Sequence, residues 1–146
     1  MEDIQLVTCA VNGEEYAVEI EYVQEIIRVT HVTRMPFGPE YLPGVMNLRG
    51  RIIPVMDMAK RLTLPDLTLS DLSRIIVVSS GDITAGLLVD QVAEIVKLDI
   101  SHIESRDVFS SVESSRYFKG VGKIGERVLL IIDLEKIFEI YNIHEV

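Results

Sequence analysis

The side chains most often used for chemistry are few in this sequence and stand apart from one another. The three histidines, His31, His102 and His144, have no partner at the spacing of a metal-binding motif. Cys9 is the single cysteine, so one chain forms neither a disulfide nor a cysteine-based zinc site, and we expect it to be a buried apolar residue. Nucleophile elbows and phosphate-binding loops are missing as well. The sequence therefore predicts no enzyme, no metal site and no cofactor.

Paired carboxylates, which can act as general acid and base, occur at two places near the start of the chain. Glu14 and Glu15 flank a predicted hairpin, and Glu19 and Glu21 alternate along a predicted strand. This arrangement is typical of a solvated face, so we do not expect acid–base catalysis.

Glu25 differs from the other acids because it lies within the apolar stretch 23–27. A carboxylate in such surroundings is costly unless it is paired or lies at a boundary between lobes. Arg49 is its candidate partner, because a guanidinium stays charged and its planar fork can bind a carboxylate through two parallel hydrogen bonds. The alternative is that Arg49 is a solvated turn residue.

The stretch around Arg49, residues 44–62, is repeated later in the chain. A shift of 76 positions without a gap aligns it with residues 120–138 and keeps most of the apolar positions apolar. A second stretch, residues 16–27, aligns with residues 85–96 at a shift of 69. We therefore expect two similar lobes built on one plan, and the order of the segments leaves open which of them share a lobe.

The repeat separates residues that the fold needs twice from residues that only one lobe carries. Asp57 recurs as Asp133, so we expect both to cap the helices that follow them. Three residues do not recur, and they are replaced by Lys123, Gly125 and Glu126 in the second copy: Asn47, Arg49 and Gly50. We therefore expect the working surface in the first copy.

Composition and charge narrow the class of partner. The 146 residues are 48% apolar and 25% charged, as in a compact domain or two small fused lobes. A net charge of -9 argues against nucleic acid as a partner. The apolar runs have strand length and the start of the chain is acidic, so we expect a cytoplasmic protein that does not insert into a membrane.

Short apolar runs bounded by turn residues predict a mainly β protein of small barrels. Asn12-Gly13 and Gly81-Asp82 predict tight hairpins, and residues 48–51 predict a further turn between strands. Pro54 suggests an edge strand or a bulge. The glycine-rich residues 119–125 predict a turn.

Three other segments carry weaker signals. Residues 21–27 fit either a short helix or a bent strand, and residues 107–117 fit a loop or an irregular helix. Residues 65–71 predict a surface link between the halves. Residues 133–141 have apolar side chains on one face and predict the best helix of the chain.

Several apolar residues suggest a docking surface in a groove between the two predicted lobes. A groove lined by Ile20, Val23 and Val89 would suit an amphipathic helix. Four methionines surround the central stretch, and we expect most of them to fill the core although methionine also suits adaptable surfaces: Met35, Met46, Met56 and Met58.

From Leu6 to the last predicted helix, the sequence resembles the CheW-like coupling proteins of bacterial and archaeal chemotaxis. The motifs that carry the resemblance stand in the family's order and show no departure from its pattern: NGEEYAVEI, VQEIIR, GVMNLRGRIIPVMDM, GLLVDQV and YFKGVGKIGERVLLIIDLEKIF. The resemblance implies one CheW-like domain over residues 1–146, made of two intertwined five-stranded barrels of SH3-like topology with short helices and a C-terminal helix.

The resemblance also implies a function. It implies a non-enzymatic adaptor that links the cytoplasmic tip of transmembrane chemoreceptors to the histidine autokinase CheA. Glu25 and Arg49 match the acid and the arginine that matter for the family's coupling surfaces. The receptor's helical hairpin is expected in the groove between the barrels, and the kinase's CheW-like regulatory domain is expected to pair barrel to barrel.

Two alternatives stay within this family. The same fold occurs as the regulatory domain of the kinase and fused to a receiver domain, but the match fills this chain, so we expect a free-standing coupling protein. A CheW-like scaffold for a different kinase pathway is the second alternative.

Overall fold

The computed structural model describes residues 2–36, 38–105 and 116–139 of the chain. Within them the strands are, in chain order, β1 (Asp3–Val11), β2 (Glu14–Glu19), β3 (Val23–Arg28), β4 (Thr33–Arg34), β5 (Gly44–Leu48), β6 (Arg51–Asp57), β7 (Arg74–Ser80), β8 (Ile83–Val89), β9 (Gln91–Asp99), β10 (Ile103–Ser105), β11 (Phe118–Ile124) and β12 (Arg127–Ile132). The helices are short: α1 (Met58–Arg61), α2 (Leu134–Phe138) and 3-10 turns at Ile20–Tyr22 and Ile100–His102. The predicted mainly β class is confirmed.

The strands form two sheets of six strands each. One sheet has the order β10-β11-β12-β2-β1-β9, and the other has the order β3-β7-β8-β6-β5-β4. The resemblance implied five strands in each, and the additional strands are the short edge strands β4 and β10. Barrel closure stays a prediction.

The chain folds into two compact units that correspond closely to the two sheets. The first unit draws its residues from Met1–Cys9, Glu15–Glu21 and Ala93–Val146, and the second from Ala10–Glu14 and Tyr22–Val92. Both ends of the chain therefore contribute to the first unit. That the units together make one domain stays a prediction.

The parallel strand pairs show which repeated segments share a unit. In the second unit Val55 of β6 lies opposite Gly86 of β8. In the first unit Ile131 of β12 lies opposite Ala17 of β2. The shift of 76 takes Val55 to Ile131 and the shift of 69 takes Ala17 to Gly86, so one pairing occurs twice. Each unit thus pairs a strand of the first repeated stretch with a strand of the second: β6 with β8 in the second unit, and β12 with β2 in the first.

Each unit has its own apolar core, and the two cores use equivalent positions. Ile53 and Val55 are buried in the second unit, and Leu129 and Ile131 are buried at the matching positions of the first. Burial of each such side chain stabilises the fold by about 2 kcal/mol. The expectation that most of the four methionines near the central stretch fill the core is confirmed: Met46, Met56 and Met58 are buried, and Met35 is exposed.

The hairpin and helix-cap predictions are confirmed in detail. Asn12 and Gly13 join β1 to β2 with φ of 56° and 84°, the positive values of a type I′ turn. The Asp57 Oδ1 accepts a hydrogen bond from the Lys60 N–H at 3.1 Å, which caps α1. The Asp133 Oδ1 accepts the Lys136 N–H at 3.3 Å and caps α2 in the same way.

Two local predictions were wrong, both because strand partners come from distant parts of the chain. Pro54 lies in β6, which has neighbours on both sides. Its missing N–H is tolerated because Val45–Pro54 is a non-hydrogen-bonded pair of the hairpin and the pairing with β8 begins at Val55. Residues 119–124 belong to the strand β11, and of the predicted turn 119–125 only Gly125 lies in a turn.

Residues 20–28 and 65–71 contain no α-helix. Residues 20–28 form a 3-10 turn followed by a strand with an irregularity between Val23 and Glu25, as the bent-strand alternative predicts. Residues 65–71 contain no helix or strand, as expected of a loop, but the predicted link between the halves was wrong: the segment lies inside the second unit and joins α1 to β7. Most of 107–117 and the end of 133–141 lie outside the described residues.

Candidate partner-binding site around Arg49

The turn between β5 and β6 holds Arg49 in an uncommon backbone conformation. Arg49 and Gly50 have φ of 50° and 88°, so both central residues of this hairpin lie in the left-handed region. Glycine adopts that region freely, whereas a side chain with a Cβ meets the backbone there. Asparagine, the usual non-glycine residue at the first position of such a turn, is what the chain uses at Asn12.

The second copy of the hairpin meets the same demand with glycine. The residue equivalent to Arg49 is Gly125, which has a φ of 58°. A residue that suits the turn is therefore available to this fold, yet the first copy carries an arginine. Residues held in unfavourable conformations concentrate at functional sites, so this contrast directs attention to the Arg49 side chain.

The Arg49 side chain lies against Glu25, as the sequence predicts. Its Nη2 donates a hydrogen bond to the Oε2 of Glu25. The hydrogen bond first, and charge attraction second, raise the pKa of the Arg49 guanidinium above its ordinary value, so the group is charged throughout the physiological range. The Arg49 side chain is 69% exposed and that of Glu25 is 30% exposed.

These exposures limit what the pair can do for the fold. Water screens exposed charges and both side chains lose freedom on pairing, so the pair contributes little to stability. What it does provide is a guanidinium held in one place on the surface, with donors still open to solvent. Such a group suits recognition of a carboxylate or of a carbonyl on a partner protein.

Glu25 owes its position to an irregularity in β3. The pairing of β3 with β7 shifts between Val23 and Glu25, and Glu25 lies opposite Val77. From Val23 to Arg28 half-buried and exposed residues alternate. The Glu25 carboxylate is therefore carried on the half-buried side of the strand, and Ile26 is exposed on the other.

The first unit contains a related ion pair that the sequence interpretation missed. Arg127 donates to the carboxylate of Glu15 at 3.2 Å and to that of Glu94 at 2.9 Å. These hydrogen bonds, the one to Glu15 foremost, raise the pKa of Arg127. Glu94 is the copy of Glu25, whereas Arg127 is the copy of Arg51 and not of Arg49. The glutamate thus recurs in both units, but its arginine partner differs: Arg127 lies in the strand β12 of the first unit, and Arg49 lies in a turn of the second.

Exposed apolar side chains follow these charged residues in both units. In the second unit Ile26 follows Glu25, and Ile52, 65% exposed, follows Arg51. The equivalent residues of the first unit are also exposed large apolar side chains: Ile95 and Val128. The signal was present in the alignment of the repeats, because an apolar residue recurs at each position.

Of the other predicted site residues, the structure places Asn47 in the same hairpin as Arg49 and the rest elsewhere. The Asn47 Oδ1 accepts a hydrogen bond from the Gly50 N–H at 2.8 Å. Ile20 belongs to the first unit, where it lines a cavity of about 340 Å³, and Val23 is half-buried in the second. Val89 is 1% exposed, so its side chain packs in the interior and we leave it out of the proposed surface. The binding roles of Ile20 and Val23 stay predictions.

The described residues offer few groups for other kinds of site. Among residues 2–36, 38–105 and 116–139, no three histidine, cysteine or acidic side chains come together as metal ligands would. In the same residues no helix has the length and apolar character needed to span a membrane. Cys9 is buried, as predicted.

Comparison with known proteins places this hairpin within a family. The family model for the CheW-like domain matches residues 5–141, nearly the whole chain. The chain belongs to the CheW family. The Arg49 turn and Glu25 therefore lie within a CheW-like domain, and the resemblance seen in the sequence is confirmed.

Individual relatives agree with this assignment. The chemotaxis protein CheW of Klebsiella aerogenes is 33% identical over 125 residues, which cover 86% of this chain and 75% of the relative. CheW of Bacillus subtilis is 33% identical over 135 residues, which cover 92% and 86%. The structure also resembles the crystal structure of the scaffolding protein TtCheW from Thermoanaerobacter tengcongensis, with a TM-score of 0.87. The two sequences are 33% identical, and the match covers 94% of each chain. The chain is a chemotaxis adaptor of the CheW family.

Proposed function

We propose that this adaptor couples the cytoplasmic tip of transmembrane chemoreceptors to the histidine autokinase CheA, and that Arg49 and Glu25 lie on its coupling surface. The observation that carries the proposal is the Arg49 turn. An arginine occupies a left-handed position that the second copy gives to glycine, and its guanidinium is held, largely exposed, against Glu25.

The adaptor acts by binding and does no chemistry of its own. To control a kinase it must bind the active and inactive states with different free energies, because a ligand shifts an equilibrium only by its differential affinity. Arg49 supports such a role since a planar, oriented donor makes strong hydrogen bonds in one geometry and weak ones in another. A small change in the partner's position then changes the binding free energy.

The exposed apolar side chains provide contact area beside the charges. Ile26 and Ile52 lie in the second unit, and Ile95 and Val128 repeat them in the first. A kinase regulatory domain of the same fold would present its own version of these residues, so like surfaces can pair. The charges of Arg49 and Glu25 in the second unit then set the orientation of the partner.

Ile20 and Val23 are our candidates for contact with the receptor's helical hairpin. Both are apolar and half-buried, as residues that pack against an amphipathic helix commonly are. An adaptor engaged with receptor tips in this way works in the cytoplasm at the membrane-associated receptor array.

Binding measurements with purified partners test the proposal. Analytical ultracentrifugation would measure association with the regulatory domain of the cognate CheA and, separately, with a soluble receptor tip, for the wild type, Arg49→Ala and Glu25→Ala. We expect the wild type to bind both partners and each substitution to weaken binding by about tenfold, as for an arginine at the centre of an interface. The thermal melts should stay two-state and close to that of the wild type.

A matched control is available in the other unit. Lys123 forms an exposed ion pair with Glu104, and it occupies the position equivalent to Asn47. Lys123→Ala should therefore leave both affinities unchanged. Loss of binding together with unfolding in Arg49→Ala would make the pair structural. Failure of the wild type to bind either partner would favour a scaffold for a different kinase pathway.

A further inference from the structure

Asn47 lies two residues before Arg49, and its side chain spans the turn. Its Oδ1 accepts the Gly50 N–H at 2.8 Å, while the backbone between them passes through Arg49. A short polar side chain that bonds the backbone a few residues on stabilises one turn conformation over others. The hydrogen bond from Gly50 to Asn47 therefore closes a loop around the left-handed Arg49.

The other hairpins of the chain show why Arg49 needs this support. At the equivalent first position of the turn, the chain has residue types that enter the left-handed region readily: Asn12, Gly81 and Gly125, with φ of 56°, 61° and 58°. Arginine has no such preference. A left-handed arginine must therefore be held by its surroundings.

The second copy of the hairpin serves as an internal control. Lys123 occupies the place of Asn47, and its ammonium bonds to the carboxylate of Glu104 at 2.7 Å. No side-chain acceptor is needed beside the turn because Gly125 reaches its φ unaided. The asparagine acceptor and the left-handed arginine thus occur together in one copy and are replaced together in the other.

We propose that Asn47 is a positioning residue that holds the Arg49 turn so that the guanidinium meets Glu25 and faces a partner. Asn47 then acts through Arg49 and does not itself contact the partner. The effect on partner binding rests on the function proposed above, whereas the effect on the turn does not. The two can therefore be tested separately.

Two substitutions separate the acceptor from the shape of the side chain. Asn47→Leu keeps a similar volume and removes the acceptor, and Asn47→Asp keeps an acceptor. Lys123→Leu makes the matching change in the copy that has glycine. For each variant, NMR would measure the solvent-exchange rate of the Gly50 amide and the amide coupling constant that reports φ of Arg49. Titration with the CheA regulatory domain would measure the dissociation constant.

We expect Asn47→Leu to speed exchange of the Gly50 amide by about tenfold, the effect of losing one hydrogen bond, and to shift the Arg49 coupling constant. Partner binding should weaken by no more than it does in Arg49→Ala, and Asn47→Asp should restore all three measurements. Lys123→Leu should change none of them. In the double variant of Asn47→Leu with Arg49→Ala, binding should equal that of Arg49→Ala alone within about twofold.

Two results would overturn the inference. An unchanged exchange rate and coupling constant in Asn47→Leu would mean that the acceptor does not hold the turn. Further weakening in the double variant would make Asn47 a direct partner contact. If instead Arg49→Ala binds like the wild type, the proposed coupling site fails, and the two NMR measurements still decide whether Asn47 positions the turn.

Discussion

At the scale of single residues, the informative feature is a conformation that does not suit its side chain. Arg49 takes a φ of 50° at a position where its copy is glycine. Its ion pair with Glu25 is too exposed to offset the free-energy cost of that backbone conformation. Residue chemistry and backbone preference thus point in opposite directions at the Arg49 turn. Function is the simplest reason for such a conflict to persist.

This conflict predicts opposite effects of Arg49→Gly on stability and on binding. Glycine relieves the left-handed backbone, so we expect a melting temperature equal to that of the wild type or higher by a few degrees. Partner affinity should fall as in Arg49→Ala, because the guanidinium is gone. Thermal unfolding followed by circular dichroism, with titration of the same samples, measures both.

The outcome separates two roles of the side chain. A melting temperature several degrees lower in Arg49→Gly would show that the pair with Glu25 supports the fold. Arg49→Val provides a contrast, since a β-branched residue is especially disfavoured at this φ, and it should be less stable than Arg49→Gly.

At the scale of elements, two glycines permit close approach of the short edge strands. A Cβ built on Gly44 would lie 2.0 Å from the carbonyl oxygen of Thr33 in β4. One built on Gly120 would lie 2.4 Å from the carbonyl oxygen of Glu104 in β10. Gly44 and Gly120 are repeat equivalents, so both units solve the same packing problem in the same way.

Gly44→Ala and Gly120→Ala should therefore each destabilise the protein by about 2–4 kcal/mol, because the obstructing atom is backbone and cannot rotate away. Gly38→Ala is the matched control: the nearest backbone atom to its Cβ is the Leu42 oxygen at 3.5 Å, an ordinary contact. It should change stability by less than about 1 kcal/mol. Urea unfolding measures all three, and equal losses at all three positions would contradict this account.

These glycines also show where prediction from sequence ends. The Asn12-Gly13 turn and the Asp57 cap were predictable because each depends on residues next to one another in the chain. The strand character of residues 119–124 was not, because the neighbours that require glycine there, Glu104 and Leu98, lie far back in the sequence. Arg49 and Glu25 were predictable as a pair since one is missing from the repeat and the other is an acid in an apolar stretch.

At the scale of the whole molecule, the chain path makes the first unit depend on both ends. In its sheet β2 and β1 lie between β12 and β9, so the C-terminal strands are joined through the N-terminal hairpin. The second sheet takes all its strands from within residues 22–92. Glu15 of β2 and Arg127 of β12 form an ion pair because these strands are neighbours in the sheet. No local sequence pattern predicts this pair, since the two residues are far apart in the chain.

Fragments of the chain test this dependence. A fragment of residues 93–146 lacks β1 and β2 and should be unfolded, whereas a fragment of residues 22–92 holds every strand of its sheet and should show more native structure. Adding a peptide of residues 1–21 to the first fragment should restore dispersed amide signals in NMR spectra. Dispersed signals from residues 93–146 alone would contradict the account.

The central claim is that Arg49 of the second unit, and not Arg127 of the first, carries partner binding. Arg49 pairs with Glu25, and Arg127 pairs with the copy of that glutamate, Glu94, and also with Glu15. Arg127→Ala therefore removes at least as much ion pairing from its unit as Arg49→Ala does. The decisive measurement is the dissociation constant of each variant for the CheA regulatory domain by titration calorimetry. We predict weakening by about tenfold for Arg49→Ala and by less than about twofold for Arg127→Ala. Equal weakening in the two variants, or none in Arg49→Ala, would contradict the claim.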